Sequence, residues 1–296
     1  VTDGERVYVY FGMVGLYCYD FDGNVVWEKQ LGGYAMDGDW GTGSSPILHE
    51  GTLYLQIDNE EVSFLLAMDA KTGEEVWRVQ RDERSSWSSP MIWKNSVRTE
   101  LVTNADIVRS YDPENGNLLW SLKYPGGRAS ASPVGNSDTL FLGNERRRDG
   151  GGVLFAVKAG ASGDIAPAPG AETSEGVLWS LSEGGPEFAS PLLYEGYLYV
   201  FGRNRGSVGC YDPKTGERVE GLDRLSGARS FWSSPWGYDG NVYCIDEAGT
   251  AFIIQAAPEI EFLATNPLGE DVRASPAFVD GAIIIRAENK VYYIGE

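Results

Sequence analysis

The sequence is short of the usual catalytic and cross-linking chemistry. It holds one histidine, His49, and three cysteines, Cys18, Cys210 and Cys244. A single histidine argues against a histidine-based triad and against a histidine-rich metal site, and His49 itself reads as an exposed turn residue. The cysteines are odd in number and far apart, with no C-x-x-C and no adjacent pair, so they imply no disulfide framework. Cys18 and Cys210 read instead as small buried hydrophobes. No apolar run approaches the ~18 residues of a membrane span, and the opening VTDGERVYVY lacks the basic-then-apolar pattern of a signal segment. Basic charge is scarce as well. Against 43 Asp and Glu stand 24 Lys and Arg, a formal net charge of −19, which argues against non-specific binding to nucleic acid or an anionic membrane.

What the chain does have is glycine, aromatics and repetition. Its 38 glycines and 12% aromatic content suit many short strands and tight turns better than helices. The stretch AMDAKTGEEVW, Ala67 to Trp77, recurs with variation at Cys18 to Trp27, Ser110 to Trp120, Ala156 to Trp179 and Cys210 to Glu220. Each copy reads as a strand, a D-x-x-T/N-G turn and a second strand leading to a Trp. An isolated hairpin is marginal in water, so these aromatics are expected to dock on a neighbouring repeat. The docking set is Trp27, Trp77, Trp120 and Trp179. Truncating a buried Trp typically costs about 3–5 kcal/mol, enough to make such contacts a main source of cohesion between repeats.

A second landmark is Ser-Pro, at Pro46, Pro90, Pro133, Pro191, Pro235 and Pro276, with spacings of 44, 43, 58, 44 and 41. The long interval contains a Pro/Ala/Gly-rich insertion, 160–176, expected as a mobile surface loop. In the second repeat the pattern places strands at Pro46–His49, Thr52–Ile57, Ser63–Asp69 and Glu74–Val79. Four short strands per repeat of this length, without helical periodicity, predict an all-β fold: a β-propeller of four-stranded antiparallel blades, a solenoid being the weaker alternative. Seven blades are visible, roughly 1–31, 44–80, 88–123, 131–182, 189–222, 233–264 and 274–296, with eight possible, in one domain. Five are expected to be complete. The strands that would close a ring are expected upstream of Val1, or an eighth blade is absent.

The A-x-D-x-x-T-G-x-x-x-W motif, the Ser-Pro opening each blade and the second strands Gly51–Tyr54, Gly196–Tyr199 and Gly240–Tyr243 resemble the quinoprotein-like, or PQQ-binding-like, β-propeller repeat family over nearly the whole chain. That resemblance implies a fold shared by quinone- and calcium-dependent alcohol and sugar dehydrogenases and by cofactor-free scaffolds, such as the lipoprotein of the outer-membrane β-barrel assembly machinery. Fold alone does not choose between them. The dehydrogenase branch typically carries a vicinal cysteine disulfide, a Trp floor, a Glu/Asn/Asp calcium set and a catalytic Asp. This chain has no adjacent cysteines, and none of its residues matches those sites. The sequence also departs from its own repeat at Glu220, where a Trp is expected, and at Ile253 to Phe262, which lacks the turn.

Propeller geometry sorts the loops into two faces. The D-x-x-T/N-G turns make one face acidic and regular. The other carries the blade-to-blade loops, and twelve of the seventeen arginines fall on it: Arg81, Arg84, Arg128, Arg146, Arg147, Arg148, Arg203, Arg205, Arg224, Arg229, Arg273 and Arg286. Three residues before the Ser-Pro prolines stand Gly43, Trp87, Ser130, Phe188, Trp232 and Arg273, which reads as an aromatic and arginine ring. Arginine grips carboxylates bidentately, and flat aromatics suit sugars or peptide anchors. The candidate ligand-binding residues are Trp40, Trp87, Arg128, Phe188, Arg203, Arg229, Trp232 and Arg273.

The favoured expectation is a non-catalytic, extracytoplasmic binding or scaffold propeller. It would recognise a protein, peptide or saccharide at the channel mouth, as a monomer, with no cofactor, no catalytic residue and no metal site. Its location would be periplasmic, outer-membrane-associated or secreted. The alternative is a PQQ- and calcium-dependent alcohol or sugar dehydrogenase with an atypical site. An arginine-lined carbohydrate-active propeller is the third reading.

Overall fold

In a computed structural model the protein is described at residues 1–123, 129–144, 152–202 and 206–295. Seven sheets follow one another along the chain, each made of strands in sequence order, the arrangement of a seven-bladed β-propeller. The second blade shows how the repeat folds. Its strands are Ile47–His49, Thr52–Ile57, Ser63–Asp69 and Glu75–Arg81, all paired antiparallel. The first two join through Glu50 and Gly51, both at positive φ (49° and 79°), as a two-residue turn matching the strand twist demands. At the next hairpin Asp69 Oδ1 accepts the Lys71 and Thr72 amides (2.9 and 2.8 Å), and Gly73 closes the turn at φ 68°. A bulge at Ala67/Met68 then sets Trp77 opposite Ala67. The first and third blades repeat this, pairing Cys18 with Trp27 and Ser110 with Trp120, so the small residue leaves room for the indole.

The chain divides into two compact units, Val1–Leu140 with Val157–Val177, and Phe141–Ala156 with Leu178–Glu296. The first contains a three-stranded first blade, Arg6–Tyr10, Leu16–Asp20 and Val25–Lys29. Its core joins Tyr8, Leu16 and Cys18 to Leu53, Phe64 and Leu66 of the second blade. In the second unit one core joins Tyr199, Phe201 and Cys210 to Phe231, Val242 and Phe252. The last blade has three strands, Ala277–Val279, Ala282–Arg286 and Val291–Gly295.

Three expectations are corrected. The insertion is folded rather than a free loop: Gly163–Asp164 pairs in parallel with the outer strand of the third blade, Leu118–Lys123, making that sheet five-stranded. Ala161 and Ile165 bury their side chains beside it. The fifth blade has three strands, not four, ending at Val208–Tyr211. An exposed Glu220 cannot fill the slot a Trp takes elsewhere, and beyond Tyr211 the chain keeps only isolated bridges to Arg218 and from Ser207 to Arg224. Finally, His49 is not an exposed turn residue. It ends a strand with its side chain 12% exposed, 3.6 Å from Glu50.

Candidate functional site

The repeat motif builds the seams. Trp27 Nε1 donates to Ala70 O (3.0 Å), Trp77 Nε1 to Pro113 O (3.0 Å) and Trp179 Nε1 to Pro213 O (3.0 Å), in each case the residue after the turn Asp of the next blade. The indole lies over that turn's glycine. A Cβ on Gly73, Gly116 or Gly216 would stand 2.8–2.9 Å from the ring of Trp27, Trp77 or Trp179. Trp120 departs from this pattern. The turn that should receive it is replaced by the insertion, and its Nε1 donates within its own blade to the buried Glu100 carboxylate (2.7 Å). Ser110, Arg98 and Asn95 also donate to Glu100, so the charge is satisfied.

The Ser-Pro serines form a second set of seam contacts that composition and spacing did not reveal. Ser45 N donates to Ser89 Oγ (2.8 Å) and Ser89 N to Ser132 Oγ (3.1 Å) in the first unit. Ser190 N donates to Ser234 Oγ (3.1 Å) and Ser234 N to Ser275 Oγ (2.8 Å) in the second. Recurrence of the serine, and not only of the proline, was the available signal.

The loops ahead of these serines carry the candidate residues. In the second unit Phe188 and Trp232 stack face to face, 4.0 Å between centroids and 9° between planes. The exposed Arg273 guanidinium lies 5.4 Å from the Trp232 centroid. Phe188 takes one face of the indole, so Arg273 covers the other. Trp232 Nε1 is held by Glu247 Oε2 (3.0 Å). Trp232 therefore serves as a support, and Arg273 as the group it presents. Arg229 of the same unit is exposed, its amide donating to Asp246 Oδ2 (2.8 Å). In the first unit Trp40, 67% exposed, meets Trp87 at 5.7 Å, and Trp87 Nε1 donates to Gly41 O (2.8 Å). Arg128 and Arg203 lie outside the described residues, as do Arg146, Arg147, Arg148 and Arg205.

Arg81 does not belong to a solvent-facing ring. Its side chain is wholly buried, forked onto Asp58 (Nε to Oδ1 2.8 Å, Nη2 to Oδ2 3.1 Å), while Nη1 donates to Thr103 Oγ1 (2.7 Å) and Tyr111 OH (2.9 Å). Gln56 Nε2 adds a bond to Asp58 Oδ2 (2.7 Å). Burial alone would lower the guanidinium pKa, but the Asp58 charge more than offsets it and holds Arg81 protonated. Alongside, Glu83 pairs with Arg109, and burial pushes its carboxyl up against the pull of Arg81 and Arg109. Arg84 is spent on Glu60 (2.9 Å). The arginine excess read from the sequence is thus partly structural pairing.

Among the described residues no group of three or more His, Cys, Asp or Glu is gathered closely enough to hold a metal ion. Cys18, Cys210 and Cys244 are buried and unpaired with one another. Burial pushes their thiols up, that of Cys210 to about 12, which disfavours the thiolate form.

Comparison with known proteins agrees with this architecture. A structure of BamB from Moraxella catarrhalis is similar over 99% of this chain and 92% of its own, at 14% identity and a TM-score of 0.51. The computationally designed Ika8 protein is similar over 95% of this chain and 79% of its own, at 12% identity and a TM-score of 0.67. At these identities the likeness is one of fold. Tetrathionate hydrolase of Acidithiobacillus ferrooxidans is 25% identical over 144 residues, 40% of this chain, and the match spans only 27% of the hydrolase. The family model described as outer membrane protein assembly factor BamB matches residues 1–220 and 95–257. With most of its length matched in this way, and with the Trp-on-Gly seams in place, the chain belongs to that family of PQQ-like β-propeller repeats.

Proposed function

We propose that the protein is a non-catalytic, extracytoplasmic binding or scaffold propeller that recognises a protein or peptide through its blade-opening loops. The observation that carries this reading is the Phe188–Trp232–Arg273 stack. Sandwiching by an aromatic restricts the Arg273 guanidinium before any ligand arrives, which lowers the entropy cost of a bidentate grip on a carboxylate. The Trp232 indole beneath it supplies apolar contact, the combination that anchors protein interfaces. The family supports a scaffold role, its model being named for an assembly factor. A saccharide is the other ligand such a platform suits.

Pull-down from an envelope extract, with glycan arrays alongside, tests the reading. Wild-type protein is expected to capture a partner that Arg273→Ala and Trp232→Ala lose, with melting temperatures near wild type. Equal capture by all three proteins refutes the site. Dye-linked oxidation of alcohols or sugars on adding PQQ and calcium refutes the non-catalytic assignment.

A further inference from the structure

The first unit carries a pocket that the aromatic and arginine loops do not account for. It encloses about 320 Å³, with Phe11, Met13, Tyr34, Met36 and Ile57 in its walls and no charged side chain in its lining. That is at the low end for ligand cavities, roughly 300–1,000 Å³, and suits one bulky side chain. Two loops supply most of the lining, the short turn after the first strand, Gly12–Val14, and the blade-to-blade segment 31–43, with Tyr10, Ile57 and Asn59 completing it. They meet closely at Gly12, φ 60°, where a Cβ would lie 2.6 Å from Thr42 Oγ1. The segment is pinned from the second blade, Glu60 N donating to Ala35 O (2.9 Å) and Asp37 N to Ser85 Oγ (2.9 Å). The pocket is therefore formed in advance of any ligand.

Its surroundings are apolar and acidic together. Met13 is 72% exposed, Val14 55% and Phe11 51%, three large hydrophobics in four consecutive residues, and Trp40, next to the lining residue Gly41, is 67% exposed. Grouped exposure of this kind marks an interaction surface. Acidic residues flank it: Asp37 and Asp39 in the segment 37–39, and Glu60 and Glu61 directly after the lining residue Asn59. Arg84, the nearby cation, is committed to Glu60 (2.9 Å). Asp39 and Glu61 are exposed.

We propose that this pocket docks a protein segment in which a bulky apolar side chain is flanked by Arg or Lys. The apolar side chain fills the cavity while Phe11, Met13 and Val14 cover its stem, and the flanking cations meet Asp39 and Glu61. An apolar cavity alone would accept many partners, and the acidic rim selects the basic one. The proposal rests on the reading of the chain as a binding propeller but not on the Phe188–Trp232–Arg273 stack.

Fluorescence anisotropy on the full chain tests it with three labelled peptides whose cores are Arg-Trp-Lys, Glu-Trp-Glu and Arg-Gly-Lys. The first is expected to bind at least about tenfold more tightly than either of the others. Met13→Ser and Phe11→Ser, changes at exposed positions, should weaken it by about tenfold. Asp39→Lys should weaken it and flatten its salt dependence. Trp232→Ala should leave it unchanged. Equal binding of the acidic peptide, no binding of the basic one, or loss with Trp232→Ala but not with Met13→Ser each overturns the proposal. The last of these results would assign the peptide to the other platform and leave the wider function intact.

Discussion

Replacing Arg81 with alanine removes the cationic half of a buried ion pair and leaves the other half in place. The Asp58 side chain is fully buried, and after the change it keeps only the Gln56 amide (2.7 Å) of the donors that now satisfy it. Thr103 and Tyr111 lose a donor as well. Removing one partner from a buried pair typically costs about 3–5 kcal/mol, because the remaining charge has neither water nor counterion. At about 2 °C per kcal/mol for a chain of this size, the melting temperature should fall by about 6–10 °C. Two companion variants separate charge from volume. Arg81→Lys keeps the charge but cannot fork onto both oxygens, so it should recover only part of the loss. Asp58→Asn combined with Arg81→Met removes both charges and should be less damaging than Arg81→Ala alone. The deficit of Arg81→Ala should also shrink as pH falls, since protonation relieves an orphaned carboxylate, whereas a simple cavity is indifferent to pH. A fall under about 2 °C, or a pH-independent one, would refute this account of the network.

The docking of Trp77 on Gly116 is separable from backbone strain. Gly116→Ala combines a positive φ of 74° with a Cβ 2.9 Å from the Trp77 ring, while Gly51→Ala has a similar φ of 79° and open space. The left-handed backbone costs both about 1–2 kcal/mol, so denaturant unfolding should show Gly116→Ala the more destabilising, and equal effects would contradict the seam contact. The three thiols should be silent to an aromatic disulfide reagent in native protein at pH 8 and titrate fully in denaturant. A fast-reacting thiol in the folded chain would show that one is accessible. Stability should also decline in alkali. Burial raises the phenols of Tyr8, Tyr54, Tyr199 and Tyr211 and pushes Tyr10 up to about 12, as it does the Cys210 thiol. Their contribution is complete below the unfolded-state values, about 8.5 for a thiol and about 10 for a phenol, and is lost as pH climbs toward about 12. A melting temperature level from about pH 8 to about pH 11.5 would contradict the sign.

Much of the fold is legible in the sequence because period, turn chemistry and a large aromatic all point the same way. Thr52–Ile57 and Ser63–Asp69 are strands at the positions the pattern predicts. Side-chain partnership is the harder inference. Arg81 reads as a loop arginine because its partner lies 23 residues earlier, and only the strand pairing brings Asp58 beneath it. Trp120 carries the same motif as Trp77, yet its acceptor was removed by an insertion some forty residues later, an effect no local pattern records. Glu220 signalled trouble correctly, though not its form, the loss of a whole strand. In the candidate site, position relative to Ser-Pro identified Phe188, Trp232 and Arg273 as neighbours. It could not show that Trp232 would be covered on both faces. The pocket beside Phe11 and Met13 was missed because it depends on how two loops fold over one another, and neither has a repeating counterpart.

At the docked Trp seams, the donor comes from one repeat and the acceptor from the next. The repeat seen in the sequence is therefore not the unit that coheres. Where the motif is intact the same joint recurs, a Trp meeting the turn glycine of the next blade and a serine amide meeting the next serine hydroxyl. Lengthening a turn on the Trp-accepting side is different, because it takes an acceptor away from the preceding blade. The insertion does this to Trp120, and a buried carboxylate, Glu100, supplies the substitute. The blade-opening loops have no repeating turn to preserve: in each unit they carry an aromatic pair, and in the first unit the apolar pocket, while their serines still tie neighbouring blades together.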